Sequence, residues 1–209
     1  MRFFDFHHHH LSRKHGIYNL TYAEMPPVGN FSAGIHPHKI DENLDNYFLW
    51  LREIISDKNC VALGECGLDG LITTDEKLQE EVFSKQIDYA NEIRKPMIIH
   101  CVRRFSRLSY FKKKAKVPMI IHGFNKRRTI GDDLLKNDFS LSFGKSILYD
   151  VNLQNFFKEV PLEKIFLGTD SAEFNLDELY EKAATLKNMT LDDFVSEIEY
   201  NLHTLKIPI

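Results

Sequence analysis

Short apolar runs alternate with amphipathic stretches along most of the chain. The runs are rich in branched and aromatic residues, as buried strands usually are, and they cover residues 3–10, 17–24, 31–36, 60–65, 96–100, 117–122, 139–143 and 164–170. Apolar residues at helical spacing predict helices over residues 41–57, 105–114, 127–136, 176–187 and 191–204. A capping-box pattern at residues 73–76 predicts the start of another helix, and a short helical or irregular piece is expected around Asn155.

About eight strands, most of them separated by helices, are typical of a parallel sheet or a (β/α)₈ barrel. The first third of the chain is short of helices, because residues 10–30 cannot hold two full strand–helix units. The pattern therefore predicts an α/β fold of the TIM-barrel type that is abbreviated on this side.

Size and composition fit an ordinary globular enzyme. A chain of 209 residues, 43% hydrophobic and 27% charged, is expected to form one domain over residues 1–209. The net charge of −3 gives no bulk attraction to polyanions, so nucleic acid binding would depend on local basic clusters. Three cysteines match no zinc spacing and suggest a reducing compartment, and no signal peptide or membrane-spanning run is evident. We expect a cytoplasmic protein with no membrane association and no obligate protein partner.

A potential metal ligand ends nearly every predicted strand. These residues are His7 and His9, His36, Glu65, His100, His122 and Asp170. The carboxyl ends of the strands in a parallel barrel open on one face, where active sites lie. Imidazole and carboxylate together suit zinc, manganese, iron or, with water, magnesium. The number of ligands fits two ions that share a carboxylate, and Glu65 is the natural bridge because Gly64 and Gly67 leave room around it.

The histidine run that begins at His7 has two interpretations. It could be a fragment of a purification tag, although tags usually carry six histidines and lie beside a linker. As part of a strand, its alternate side chains share a face, so His7 and His9 would point one way and His8 and His10 the other. On this interpretation His7 and His9 chelate a metal, whereas His8 and His10 are structural.

Several motifs, in order along the chain, carry a resemblance to a known family. They are Asp5-Phe6-His7-His8-His9, Gly34-Ile35-His36-Pro37, Gly64-Glu65-Cys66-Gly67-Leu68-Asp69, Gln86 with Ala90, Pro96 to His100 with Arg103, His122-Gly123-Phe124, Leu141 to Gly144, and Thr169-Asp170. Together they resemble the motifs of the TatD family of metal-dependent hydrolases and deoxyribonucleases. Each motif alone is weak, but the complete set in this order is specific.

The resemblance implies a barrel of the metal-dependent, amidohydrolase-like class. It implies that His7, His9 and Asp170 hold one divalent ion and that His100 and His122 hold another, with Glu65 bridging the two. His36 would lie in the substrate pocket beside the metals. The implied reaction is hydrolysis of a phosphodiester by water activated at a divalent ion. Mg²⁺ or Mn²⁺ would support activity, and Zn²⁺ would bind more tightly than either. Glu65 and Asp170 would be catalytic, and Asp170 could also accept a proton.

The sequence departs from the family pattern around the pocket. The segment before Gly34 is pared down, Gly168 replaces the usual acidic residue before Thr169, and the loop after Asp170 shrinks to Ser171-Ala172-Glu173. We therefore expect a shallow, open site. Arg103 and Lys126 directly follow two ligand-bearing strands and are candidates to bind substrate phosphates.

Three functions remain open from the sequence. The first is a phosphodiesterase or deoxyribonuclease that acts on DNA ends. The second is a hydrolase of another small ester, amide or lactone, because related barrels cleave several kinds of bond with similar sites. The third is a catalytically weak metal-binding barrel that has kept the ligands and lost the pocket.

Overall fold

The computed structural model describes residues 3–209. In this part of the chain eight parallel strands form one sheet in the order β1 to β8, with each strand paired to the next along the sequence. The strands are β1 (Asp5–His8), β2 (Gly16–Leu20), β3 (Phe31–Ala33), β4 (Cys60–Asp69), β5 (Met97–Val102), β6 (Met119–Ile121), β7 (Ser140–Phe143) and β8 (Ile165–Leu167). This is the predicted TIM-type barrel.

Seven α-helices cover the described sheet from outside. They are α1 (Leu44–Ile54), α2 (Glu76–Ile93), α3 (Phe105–Lys112), α4 (Arg128–Lys136), α5 (Val151–Glu159), α6 (Leu176–Leu186) and α7 (Leu191–Thr204), with 3₁₀ turns at Pro37–Lys39, Lys145–Leu148 and Leu162–Lys164. Within residues 3–209, no helix combines the length and the apolar character needed to cross a membrane. Loops alone join β1 to β2 and β2 to β3, so the barrel is abbreviated in its first third, as predicted.

The barrel is nearly closed by contacts between β1 and the segment that follows β8. The amide of Asp170 donates to the carbonyl of His7 (2.9 Å), and the amide of His9 donates to the carbonyl of Asp170 (3.2 Å). The buried Asp5 carboxylate accepts the backbone N–H of Thr169 at 2.9 Å and its hydroxyl at 2.6 Å. These bonds fix the first and last strands to each other at the rim.

Two glycines let β4 approach β5 very closely. A Cβ atom on Gly64 would lie 2.4 Å from the carbonyl oxygen of Ile98, and one on Gly67 would lie 2.0 Å from that of His100. Both glycines also have positive φ angles, of 150° and 145°, which side chains rarely permit. The strand pairing shifts register between Leu63 and Cys66, and this places Glu65 in the barrel mouth.

Two buried glutamines on α2 hold the ends of β3 and β4. Gln86 accepts the N–H of Ile35 (2.7 Å) and donates to its carbonyl (3.0 Å), just before His36. Gln79 does the same for Asp69, at 2.8 and 3.1 Å. Buried backbone groups need such partners where the sheet pairing ends.

Some element boundaries differ from the sequence predictions. β4 continues to Asp69 and not only to Glu65, whereas β8 ends at Leu167, so Asp170 lies beyond the strand with a φ of 55°. The residues around Asn155 form a regular helix whose N-cap is Asp150. Asp75, and not Thr73, caps α2, because its carboxylate accepts the N–H groups of Lys77 and Leu78.

Candidate metal centre

Glu65 lies at the centre of a group of histidines in the barrel mouth. Its Oε1 atom is within 3.3 Å of three of them, and its Oε2 atom is within 3.6 Å of two more. The distances are 2.8 Å to His122 Nε2, 3.0 Å to His100 Nδ1 and 3.3 Å to His36 Nε2, and then 3.5 Å to His7 Nε2 and 3.6 Å to His9 Nε2. The Glu65 carboxylate is thus surrounded by imidazoles contributed by four strands or strand ends.

Asp170 completes the group from the opposite side. Its Oδ1 atom lies 3.3 Å from His9 Nε2 and 4.0 Å from His7 Nε2, and its Oδ2 atom lies 3.7 Å from His122 Nδ1. The side chain of Asp170 is 40% exposed, whereas those of His7 and Glu65 are almost fully buried. The six residues predicted as metal ligands therefore lie together, with one carboxylate deep and one at the opening.

Backbone contacts position both carboxylates. The amide of Glu65 donates to the side chain of Asn19 on β2 (2.9 Å). Asp170 directly follows Thr169, whose backbone N–H and hydroxyl both donate to the Asp5 carboxylate. Gly123 also lies near Asp170, because a Cβ atom added to this glycine would be 3.6 Å from Asp170 Oδ2. The aspartate of the Asp5-to-His9 motif thus acts by holding the end of the last strand.

The histidines keep the Glu65 carboxylate ionised. Burial by itself opposes ionisation, but His122, His100 and His36 outweigh it and hold the pKa of Glu65 well below its usual range. The hydrogen bonds to Asp170 and Glu65 raise the pKa of His9 to about 9. Burial lowers the pKa of His7, which is shielded from solvent and lies beside His122. The centre thus combines negative charge with imidazole nitrogens.

The donor set fits divalent cations. Neither ring nitrogen of the buried His7 has a hydrogen-bond partner among the described residues, nor does Nδ1 of His122. Three sets of side chains each place their ligand atoms within 4.8 Å of one another, namely His7 with Glu65 and His122, His7 with His9 and Asp170, and His36 with Glu65 and His100. Unpaired buried polar atoms are costly, and a cation would satisfy them.

The sequence analysis missed Asp69 and His38 as parts of this site. Asp69 Oδ2 lies 3.1 Å from His100 Nε2 and 3.0 Å from His38 Nε2. A carboxylate on the far nitrogen of a ligating histidine fixes the orientation of its ring. Asp69 stands within the quoted Glu65 motif, and the signal that could have found it is its place there as the next acidic residue after Glu65.

His8 lies on the opposite face of β1 from the cluster, as the alternation predicts. It is fully buried against Tyr18, with 6.0 Å between the ring centres, and its Nδ1 atom accepts the amide of His10. Burial lowers the pKa of His8 to about 3, so the ring is neutral.

The cationic candidates at the rim differ in their availability. Arg103 is exposed and makes no ion pair or hydrogen bond with its side chain among residues 3–209, and Lys126 is half-buried near Cys101. Arg104 and Arg107, by contrast, pair with Glu80 on α2. Of these four residues, Arg103 and Lys126 are free to meet an incoming phosphate.

A cleft opens beside Glu65, on the side of β2, β3 and α1. Its volume is about 400 Å³, and its walls include His9, Asn19, Leu20, Thr21, Tyr22, Gly34, Ile35, His36, Lys39, Tyr47, Trp50 and Glu65. The expectation of a shallow site is therefore wrong on this side. The reason is that α1 and the loop after β2 form a side wall of the cleft, although no α-helix lies between β1, β2 and β3.

Comparison with known proteins agrees with this architecture. Residues 8–205 match the family described as TatD related DNase. An uncharacterized metal-dependent hydrolase from Buchnera aphidicola is 30% identical over 165 residues, which are 74% of this chain and 62% of that protein. A 3′-5′ ssDNA/RNA exonuclease TatD from Musicola paradisiaca is 28% identical over 179 residues, 81% of this chain and 67% of that protein. The matches span about two thirds of the length of these relatives.

The fold also matches a solved structure. YjjV, a TatD homologue from Escherichia coli, superposes with a TM-score of 0.80 at 20% sequence identity, covering 99% of this chain and 98% of the other. This likeness supports the barrel and its strand order.

Proposed function

The chain belongs to the TatD related DNase family, and on this premise we propose that it is a divalent-metal-dependent hydrolase of phosphodiester bonds in nucleic acid. The observation that carries the proposal is the ionised Glu65 carboxylate surrounded by five histidines, with Asp170 at the opening. Mixed nitrogen and oxygen donors of this kind suit Mn²⁺, Mg²⁺ or Zn²⁺.

We assign the ligands to two ions. His7, His9 and Asp170 would hold one, His100 and His122 would hold the other, and Glu65 would bridge them, as the family resemblance implies. The proximity of Asp170 to His9 and of Glu65 to both His9 and His100 supports this division. Ions bound there would activate water and neutralise charge on the scissile phosphate. The assignment uses all six rim ligands, with Glu65 shared between the two ions, and leaves His36 facing the cleft.

Protein side chains would carry out the remaining steps, which are proton transfer and substrate binding. Asp170 is partly exposed and lies at the opening, which supports a role in which its carboxylate would accept a proton from attacking water. Arg103 and Lys126 follow β5 and β6, beside His100 and His122, where their charges would hold non-bridging phosphate oxygens. His36 would contact the substrate next to Glu65.

Nucleic acid ends are the substrate that best fits the charge distribution. A net charge of −3 and a few free cations at the rim favour contact with one or two phosphates over tracking along a duplex. The Musicola relative bears the name of a 3′-5′ exonuclease of single-stranded DNA and RNA. We propose slow cleavage from strand ends, with affinity that falls as salt concentration rises.

The cleft favours a second candidate, hydrolysis of a small phosphoester or other small ester. Its volume of about 400 Å³ lies in the range of small-molecule sites. The same metal centre would serve this reaction, and only the size of the preferred substrate would differ.

A substrate panel separates these functions and also the catalytically weak barrel. Metal-reconstituted protein is given single-stranded DNA and RNA with free or phosphorylated 3′ ends, circular single-stranded DNA, and small chromogenic phosphodiesters, carboxylic esters and lactones. The proposal expects linear strands to be shortened from one end while circles persist. Much faster turnover of a small neutral ester than of any oligonucleotide would contradict it, and no turnover of any substrate would identify a weak metal-binding barrel.

A further inference from the structure

Three aromatic side chains form the outer wall of the cleft beside Glu65. Tyr22 lies in the loop after β2, and Tyr47 and Trp50 lie one turn apart on α1. The ring centres of Tyr22 and Tyr47 are 4.7 Å apart at an interplanar angle of 69°, and those of Tyr22 and Trp50 are 5.7 Å apart at 86°. The Tyr22 ring is thus steeply inclined to the other two rings, and this residue is 46% exposed.

The inner end of the cleft is the metal centre itself. His9, His36 and Glu65 line both the cleft and the candidate ligand cluster. A ligand that fills the cleft would therefore contact whatever is bound at the cluster. The cleft and the cluster thus form one continuous site.

Polar groups occur at a few points of an otherwise apolar wall. Thr21 and Asn19 lie at the end of β2, and Lys39 contributes one exposed ammonium from the 3₁₀ turn after His36. The side-chain oxygen of Asn19 already accepts the amide of Glu65. Flat apolar walls, a hydroxyl and one cation suit a planar heterocycle attached to a phosphate.

We propose that this cleft binds the terminal nucleobase of a nucleic acid strand by stacking on Tyr22 and Trp50, with Lys39 facing a phosphate. The inference rests on the proposed function, because it places the scissile phosphodiester at the metal centre. Stacking on aromatic rings accepts every base, since each has a flat π-face. The cleft would thus give affinity for strand ends without sequence preference.

Neighbouring features favour a base over an aliphatic group. Tyr22 and Trp50 cross nearly at right angles, so a flat ligand can lie on one ring and meet the edge of the other, the arrangement that aromatic groups prefer. Tyr47 is held in place because its hydroxyl donates to Asp41 (3.0 Å). The Tyr47 ring in turn packs against Tyr22 and helps to hold that ring beside Trp50.

Kinetics with two matched oligonucleotides test the proposal. One ends in an ordinary 3′ nucleotide and the other in an abasic one, and both are cleaved in the presence of Mn²⁺. We expect kcat/KM to favour the base-ended strand on the order of tenfold. Tyr22→Ala and Trp50→Ala should each reduce this preference several-fold. Tyr200→Ala, which removes an exposed ring from α7, should change nothing.

Equal cleavage of the two strands by the native protein, or a preference that survives in both cleft variants, would overturn the inference while the nuclease assignment stands. Tyr22 is the safer variant for folding, because its ring lies in an exposed loop.

Fluorescence tests the cleft even if no oligonucleotide is cleaved. Trp50 is the single tryptophan of the chain, so its emission reports on the cleft alone. Deoxyadenosine 5′-monophosphate, added with Mg²⁺, should quench it saturably, whereas ribose 5-phosphate should not. Tyr22→Ala should raise the nucleotide concentration at half-saturation several-fold. No quenching by the nucleotide, or equal quenching by the sugar phosphate, would refute base stacking.

Discussion

His100 lies between two carboxylates, with its Nε2 atom 3.1 Å from Asp69 on the side of the ring away from Glu65. Burial disfavours a positive charge on this ring, but Glu65 and Asp69 outweigh burial and raise the pKa of His100. Asp69 is itself held through its backbone by Gln79 and accepts the amide of Leu71 (2.8 Å). The imidazole is thus held from outside the candidate metal centre, and we assign Asp69 a positioning role.

Replacement of Asp69 by Asn should weaken metal binding and activity together, by about 10–100-fold, because His100 loses its orienting carboxylate. Asp88→Asn is a suitable control, since Asp88 is exposed on α2. Calorimetric titration with Mn²⁺ alongside kinetics checks the expectation. A normal metal affinity in Asp69→Asn would show that this carboxylate has no positioning role.

Arg103→Ala should raise KM on the order of tenfold and change kcat little, because a free guanidinium at the rim would bind phosphate before and during the reaction. Arg127→Ala, which removes an exposed arginine just before α4, serves as the control. The native enzyme should also lose kcat/KM as salt rises, less steeply in the variant. Identical salt dependence of the two proteins would argue against a phosphate contact.

The three cysteines should be unreactive in the folded protein. Burial raises the pKa of Cys60 to about 11 and that of Cys101 to about 12, and it raises the pKa of Cys66 well above its usual range. At pH 8 these groups are therefore thiols, and the thiolate is the reactive form. A thiol-specific chromogenic reagent should detect almost none before denaturation and three afterwards. Rapid native labelling, or loss of hydrolysis on labelling, would contradict this.

Packing between α4 and α5 predicts a stability change at Gly131. A Cβ atom there would lie 2.2 Å from the buried ring of Phe156, so Gly131→Ala should destabilise the fold by about 1–3 kcal/mol through overpacking. Gly29→Ala is the control, because its added Cβ would meet Lys14 at an ordinary 3.6 Å. Urea unfolding measures both. Equal stability of the two variants would mean that the ring moves aside at little cost.

Much of the barrel can be predicted from sequence because strand ends obey one rule. Parallel strands open on one face, so the polar residue that ends each apolar run belongs to a shared rim, and the structure brings His7, Glu65 and Asp170 together there. The sequence also places Gly64 and Gly67 beside Glu65, where they were expected to allow a close backbone approach, and in the structure both pack against the backbone of β5.

The cleft could not be predicted from the sequence. Tyr47 and Trp50 recur at helical spacing on α1 and resemble core residues, yet both are only half-buried. Tyr22 stands in a loop with no periodic pattern, and its approach to α1 depends on how that loop packs. Asp69 was missed for a related reason: β4 runs four residues past Glu65, and apolar periodicity does not mark that end.

The most direct test of the metal-centred account is end cleavage of a single-stranded oligonucleotide by metal-stripped protein before and after addition of Mn²⁺, with Glu65→Gln measured in parallel. The account predicts no cleavage without metal, cleavage when Mn²⁺ is added, and a loss of at least about a hundredfold in Glu65→Gln, because this variant lacks the carboxylate that we propose as the bridge between the ions. Full cleavage by the stripped protein, or unchanged cleavage by Glu65→Gln, would contradict it.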